Sequence, residues 1–320
     1  MFRAPRAIPD LTPAPTASAV RGAVLRAPLN GSPHPARDAG KRIIAFLGLT
    51  LIFTAVSASL AIGIGTGGDA GQLIALAVMW SPGLAALVTI FAFQRNLRGI
   101  GWQLGRPRYL LVGFALPLVE CSLVYGLVWS SGLGALRGDL FGVVETLLAI
   151  TPGLLSGMFL ALGEEIGWRG LLVPQLARVT TFTRTALISG VIQAVWHWPF
   201  VLFAGFSSPA PWWFALPVLT ITVTLAGFFA AWLRLRSGSV WPVVLAHASF
   251  NLYIQSGFNP LTRDTGITEY IVDEFGIAFV LSGTAIAYVC WRLRHRLPEV
   301  AKGRRNPVAT IDDLAPERPA

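Results

Sequence analysis

"LLSGMFLALGEEIGWRGLLVPQL", residues 154–176, starts as a hydrocarbon-like helix, takes on Glu164, Glu165 and Arg169 within six residues, and then turns apolar again. The fold depends on whether this stretch lies in water or in lipid. The composition decides for lipid: 54% of the 320 residues are hydrophobic and 13% charged, whereas soluble domains carry about a quarter charged residues. An ionisable group inside a bilayer costs about 2.5–3.5 kcal/mol on insertion scales, so its presence there needs a reason. Glu165 and Arg169 are four apart with the acid first, so on a helix they share a face and can offset each other's burial. Glu164 points about 100° away and is left free for other work.

Working outward, a spanning helix needs about 20 mostly apolar residues. Eight stretches qualify: 43–64, 73–94, 109–131, 143–163 with an extension to about 176, 185–206, 212–233, 239–258 and 271–291. Eight crossings with the N-terminus in the cytoplasm place 23 of the 25 Lys and Arg residues on the cytoplasmic side and only Arg137 and Arg263 outside. An error of one helix would scramble that alternation. The expected fold is therefore all-α, a polytopic membrane protein of about eight transmembrane helices with a buried polar site between helices 4, 5 and 7.

The expected organisation is a disordered cytoplasmic tail at 1–41, a transmembrane body at 42–297 and a second cytoplasmic tail at 298–320. Residues 1–41 contain no apolar core of signal-peptide length. The net charge of +9 is a topology signal and does not point to nucleic acid. Cys121 and Cys290 each sit in an apolar run and read as small hydrophobes, with no disulfide framework. No repeat relates the two halves, which weighs against a transporter of the inverted-repeat kind.

The ionisable residues within the spans are Glu120, Glu145, Glu164, Glu165, Arg169, His197 and His247, while His34 and His295 fall in polar, solvated segments. Glu164 lies 14 residues from Arg178, and His197 lies 13 from Arg184. At ~1.5 Å per residue both are about 20 Å deep, and His247 is about 15 Å deep. Three helices thus bring polar groups to one level. Asn251 follows His247 by one turn, so an imidazole and an amide face the same volume. A carboxylate and an imidazole can deprotonate a water for attack on an amide carbonyl, and a second imidazole with an amide donor can stabilise the oxyanion. The same groups are alternatively ligands for a divalent metal that acidifies the water.

"EEIGWRGLLVPQL", "WHWP" and "HASFN" resemble, in order, the EExxxR, histidine and HxxxN motifs of the CPBP family, named for CAAX prenyl proteases and bacteriocin-processing proteins. The resemblance implies an intramembrane endopeptidase. By position Glu164 resembles the catalytic glutamate acting with His197, Glu165 and Arg169 the second acid and its supporting arginine, and His247 and Asn251 the pair that assists the water and holds the oxyanion. Glu164, His197 and His247 are candidate ligands if a metal such as zinc takes part. The second motif commonly reads FxxxH, and here Gln193 stands in the Phe position, on one helical face with His197 and within hydrogen-bonding reach of it.

The implied partners are the lipid bilayer and a peptide or membrane-anchored protein substrate, and the implied location is the cytoplasmic membrane, multi-pass, with both termini inside. Glu120 reads equally as a supporting partner of the site or as one end of an interhelical hydrogen bond. Two other readings stay open. A proton-coupled transporter predicts pH-driven flux and tolerance of His247→Gln. A catalytically silent, partner-binding immunity protein predicts function that survives Glu164→Ala.

Overall fold

The computed structural model describes residues 35–64, 68–137, 140–203, 206 and 208–298. The expectations for the tail segments 1–34 and 299–320 lie outside the described residues, as does the side chain of Glu145.

The chain is all-α. Helices α1 (Pro35–Ile64), α2 (Gly68–Gln94) and α3 (Pro107–Ser131) are followed by α4 (Leu140–Glu165), which continues through a π-helical turn, Ile166–Leu172, into α5 (Val173–Val179). Then come α6 (Phe182–Phe203), α7 (Trp212–Ser237), α8 (Trp241–Asn251) with a second π-helical turn, Leu252–Phe258, and α9 (Ile277–Arg292). Among the described residues six helices are long and apolar enough to cross a membrane: α1, α2, α3, α6, α7 and α9. The other two expected spans fall on α4 and α8, which are not among these six, carry the charged motifs and are each followed by a π turn. Leu51, Leu111, Leu127, Leu155 and Leu281 are exposed, a surface that suits lipid and would be an aggregation hazard in water.

Neighbours in the bundle are α1 with α2, α6 with α7, α3 with α8, α7 with α9, and α4 between α2 and α8. α4 is pinned to α2 by a backbone approach at Gly163: a Cβ there would lie 2.7 Å from the Trp80 ring and 2.8 Å from the Met79 carbonyl oxygen. The residue before the acid pair must therefore be glycine, and the pair is held at a fixed distance from α2.

One end of the bundle is basic. Arg42 donates to Gln94 there, and Leu297, beyond α9, packs with Val173, Phe182 and Leu235 at the same end. The start of α1 and the end of α9 thus share one side, as an even number of crossings requires. At the opposite end a short antiparallel ribbon pairs β1 (Ala135–Leu136) with β2 (Thr262–Arg263). Two helix boundaries differ from those read by hydropathy. α1 begins at Pro35, ahead of 43, because a helix can extend past the apolar core into the headgroup region. α9 begins at Ile277 rather than 271, because Asp273 takes a left-handed φ of 73° that no helix continues.

Candidate active site

α4 delivers Glu164 and Glu165 at its last two positions, and the π turn then changes the hydrogen-bond register: the Val173 N–H bonds to the Trp168 carbonyl, five residues back. Trp168 and Arg169 each follow an acid by four residues and share its helix face. Arg169 Nη1 donates to Glu165 Oε1 at 3.0 Å, and Trp168 Nε1 donates to Glu164 Oε2 at 3.2 Å. Single π turns are rare and gather at functional sites. The second one follows Asn251 directly, so each of the two outer motifs ends in one.

A cavity of about 740 Å³ opens among α2–α4 and α6–α9. Glu164, Glu165, Arg169, Gln193, His197, His247 and Asn251 all line it. The structure thus brings every residue singled out in the three motifs to one volume, from helices far apart in sequence.

Glu165 is 1% exposed and organises one half of the site. Its Oε1 accepts from Arg169 and also from His247 Nδ1 at 2.9 Å. A carboxylate oxygen only accepts, so Nδ1 of His247 carries a proton and Nε2 is the atom left for the cavity. His197 is anchored in the same way: its Nδ1 lies 2.8 Å from the Gln193 carbonyl oxygen, which fixes that proton and leaves Nε2 open. The His197 ring also meets Trp196 edge-on at 4.8 Å between centroids. Asn251, one turn after His247, makes no side-chain hydrogen bond among the described residues, so its amide is available to a ligand.

Gln193 does not use its side chain on His197. Its Nε2 donates to Glu164 Oε2 at 3.3 Å, so Gln193 touches both Glu164, through its amide, and His197, through its backbone. Because Trp168 and Gln193 converge on Oε2, Oε1 of Glu164 is the oxygen left for a substrate or water. No direct hydrogen bond joins Glu164 to His197, and both line the cavity.

Three contributors escaped the motif reading. Trp168 sits inside EExxxR at a position that motif leaves unspecified. Thr54 of α1 accepts from Trp196 Nε1 at 2.8 Å and shares a 3.0 Å hydrogen bond with Ser81, fixing the residue beside His197. Arg234 reads as a loop charge, yet it is 3% exposed and donates to the carbonyls of Arg169 (2.8 Å), Gly99 (2.7 Å) and Ile100 (3.0 Å). It thereby ties the π turn to the connection after α2. A neighbouring signal exists in Gly101, whose φ of +92° and closeness to the Arg234 side chain leave no room for a Cβ. Glu120 donates nothing to the motif residues; it accepts from Ser282 Oγ of α9 at 2.7 Å, an interhelical bond.

As a metal centre the arrangement does not fit. Among the described residues no three His, Cys, Asp or Glu side chains stand close enough to hold an ion, and Oε2 of Glu164 is already taken by two N–H donors.

No curated protein matches the chain. Residues 146–253, which contain the EExxxR-like, histidine and HxxxN-like motifs and the helices that carry them, match the family model described as type II CAAX prenyl endopeptidase Rce1-like.

Proposed function

We propose that the protein is an intramembrane endopeptidase in which Glu164 and His197 activate a water that attacks a peptide bond. The observation that carries this reading is that Oε1 of Glu164, Nε2 of His197 and Nε2 of His247 all remain free for one cavity while their other polar atoms are anchored. A water between Glu164 and His197 gives up a proton to one of them as its oxygen bonds to the carbonyl carbon. The oxyanion that forms takes a hydrogen bond from the Asn251 amide, and from Nε2–H of His247 in the imidazolium form that pairs with Glu165. Collapse breaks the C–N bond, and the proton held by the Glu164–His197 pair passes to the leaving amine. Anchoring each imidazole through Nδ1 means no side chain has to reorganise as charge develops.

The substrate is a peptide or membrane-anchored protein reaching the cavity within the bilayer, with the basic end of the bundle on the cytoplasmic side of the cell membrane. The test is cleavage of a peptide library by detergent-purified protein, with Glu164→Ala alongside and each assay repeated with a chelator. Cleavage lost in Glu164→Ala supports the reading. Equal cleavage by both proteins removes Glu164 from the chemistry. Cleavage that a chelator abolishes and added zinc restores would replace the metal-free scheme with a metal-assisted one on Glu164, His197 and His247.

A further inference from the structure

Gln193 stands where FxxxH carries a Phe, and the hydrolytic scheme uses only one end of its side-chain amide. Nε2 donates to Glu164 Oε2 at 3.3 Å. That oxygen also accepts from Trp168 Nε1, so the NH2 end of the amide, and not its carbonyl, must face it. Trp168 is itself held in place. It is 1% exposed, and its ring meets Phe46 of α1 and Trp196 of α6 edge-on, at 5.7 and 5.8 Å between centroids. Turning the Gln193 amide over would set its carbonyl against a carboxylate oxygen, so the direction of Gln193 Oε1 is dictated by Glu164.

The carbonyl end has a different environment. Gln193 is buried but lines the cavity, and its Oε1 accepts no hydrogen bond among the described residues. It is not sealed in. Glu165 Oε2 and Thr222 Oγ are buried atoms that lack both a partner and accessible surface, and Gln193 Oε1 is not one of that kind. The N and O of an amide are about 2.3 Å apart, so Oε1 stands within about 6 Å of Glu164 Oε2. His197 is tied to the same residue, through Nδ1 at 2.8 Å from the Gln193 main-chain carbonyl oxygen. A free acceptor is thus fixed beside both groups that handle the water and its proton.

A scissile peptide bond brings one acceptor and one donor to this place. Its oxygen goes to Asn251 and His247, and its N–H needs an acceptor. Resting on the protease reading above, we propose that Gln193 is a further catalytic residue, whose side-chain carbonyl accepts the N–H of the peptide bond being cleaved. In the tetrahedral intermediate this bond fixes where the nitrogen lone pair points. On collapse the proton held by the Glu164–His197 pair goes onto that lone pair, the C–N electron pair leaves with the nitrogen, and the oxyanion closes back to a carbonyl. As the nitrogen takes up the proton its N–H becomes a charged donor, so the bond to Oε1 tightens while the C–N bond breaks. The amide of Gln193 then works at both ends, holding the carboxylate with one and the departing amine with the other.

The experiment compares a cleaved peptide with its ester analogue, in which an oxygen replaces the scissile N–H and nothing else changes. Both are assayed with the wild-type protein, with Gln193→Met, which keeps the length and removes both ends of the amide, and with Trp168→Phe, which removes a donor to Glu164 and leaves Gln193 in place. Gln193→Met should lower kcat for the peptide about 10- to 100-fold more than for the ester, with KM nearly constant, the value of one charged hydrogen bond made in the transition state. Trp168→Phe should slow peptide and ester alike, because it acts only through Glu164. A loosened or partly misfolded variant also slows both together, so the peptide-to-ester ratio carries the test. If Gln193→Met slows the two substrates equally, or the ester more, Gln193 serves only Glu164 and the proposal is overturned. The same peptide-selective loss in Trp168→Phe would overturn it too, by tracing the effect to the carboxylate. A wild-type protein that cleaves neither substrate fails the protease reading and takes this proposal with it, whereas an unchanged ratio sinks the proposal alone.

Discussion

Glu165 and Glu120 are two carboxyls on the wall of one cavity, and their surroundings are opposites. Glu165 is fully buried and shared between Arg169 and His247. Glu120 has a serine hydroxyl and nothing charged. Burying an ion pair repays its desolvation only when geometry and hydrogen bonds are good, whereas removing one partner leaves an uncompensated charge. The protein has thus committed Glu165 to its own architecture and left Glu120 open. A buried carboxyl by itself does not mark a reactive group; the identity of its partners does.

This contrast can be broken most forcefully at Glu164, whose partners are neutral N–H donors rather than cations. Glu164→Ala should reduce kcat by about 10²–10⁴, with little change in thermal midpoint, as read by peptide cleavage and unfolding of the same preparation. Next, Glu165→Leu should strand the Arg169 guanidinium in the interior and cost about 3–5 kcal/mol of stability. Chemical denaturation in detergent measures it, and a variant as stable as the wild type would mean the pair is solvated after all. Asn251→Ala should lower kcat by about 10²–10³ with KM nearly constant, the signature of a donor used only in the transition state. Arg234→Met should cost about 2–3 kcal/mol, because three buried carbonyls lose a charged donor, and proteolytic susceptibility of the connection between α2 and α3 should rise with it. The smallest effect belongs to Glu120→Leu, which should leave stability within about 1 kcal/mol or raise it. A loss as large as that of Glu165→Leu would erase the contrast.

Much of the fold was legible because lipid simplifies the code. Length of apolar run gives the crossings, and the sign of loop charge counts them. The two spans that hydropathy reads least cleanly, the fourth and seventh, are the two that carry motif acids and the HxxxN pair. The Glu165–Arg169 contact was legible because it is local, four residues on one helix. What stayed hidden depends on contacts distant in sequence or on register. Gln193 reaches Glu164 across 29 positions, and Arg234 reaches Ile100 across 134. A positive residue near a helix end looks the same in sequence whether it faces water or clamps carbonyls. The start of α9 was misplaced because Ile271 and Val272 continue the apolar run, while Asp273 breaks the backbone with one dihedral angle.

The π turn after the acid pair has an evolutionary and practical consequence. A π turn closes its ring with one residue more than an α turn does, so Ile166–Leu172 can be viewed as a helix carrying a single surplus residue. Deleting one residue there would let the segment heal into continuous α-helix, and everything on one side of the repair would swivel by about 100° relative to the other. A deletion between Gly170 and Leu172 would leave the Glu165–Arg169 and Glu164–Trp168 pairs four apart, as on any helix, and would swing α5 away from its packing on α1 and α6. A one-codon deletion there would therefore uncouple the acid-bearing helix from the packing behind it while composition, hydropathy and charge hardly change, and a homologue lacking that residue would keep the motifs on a differently seated helix.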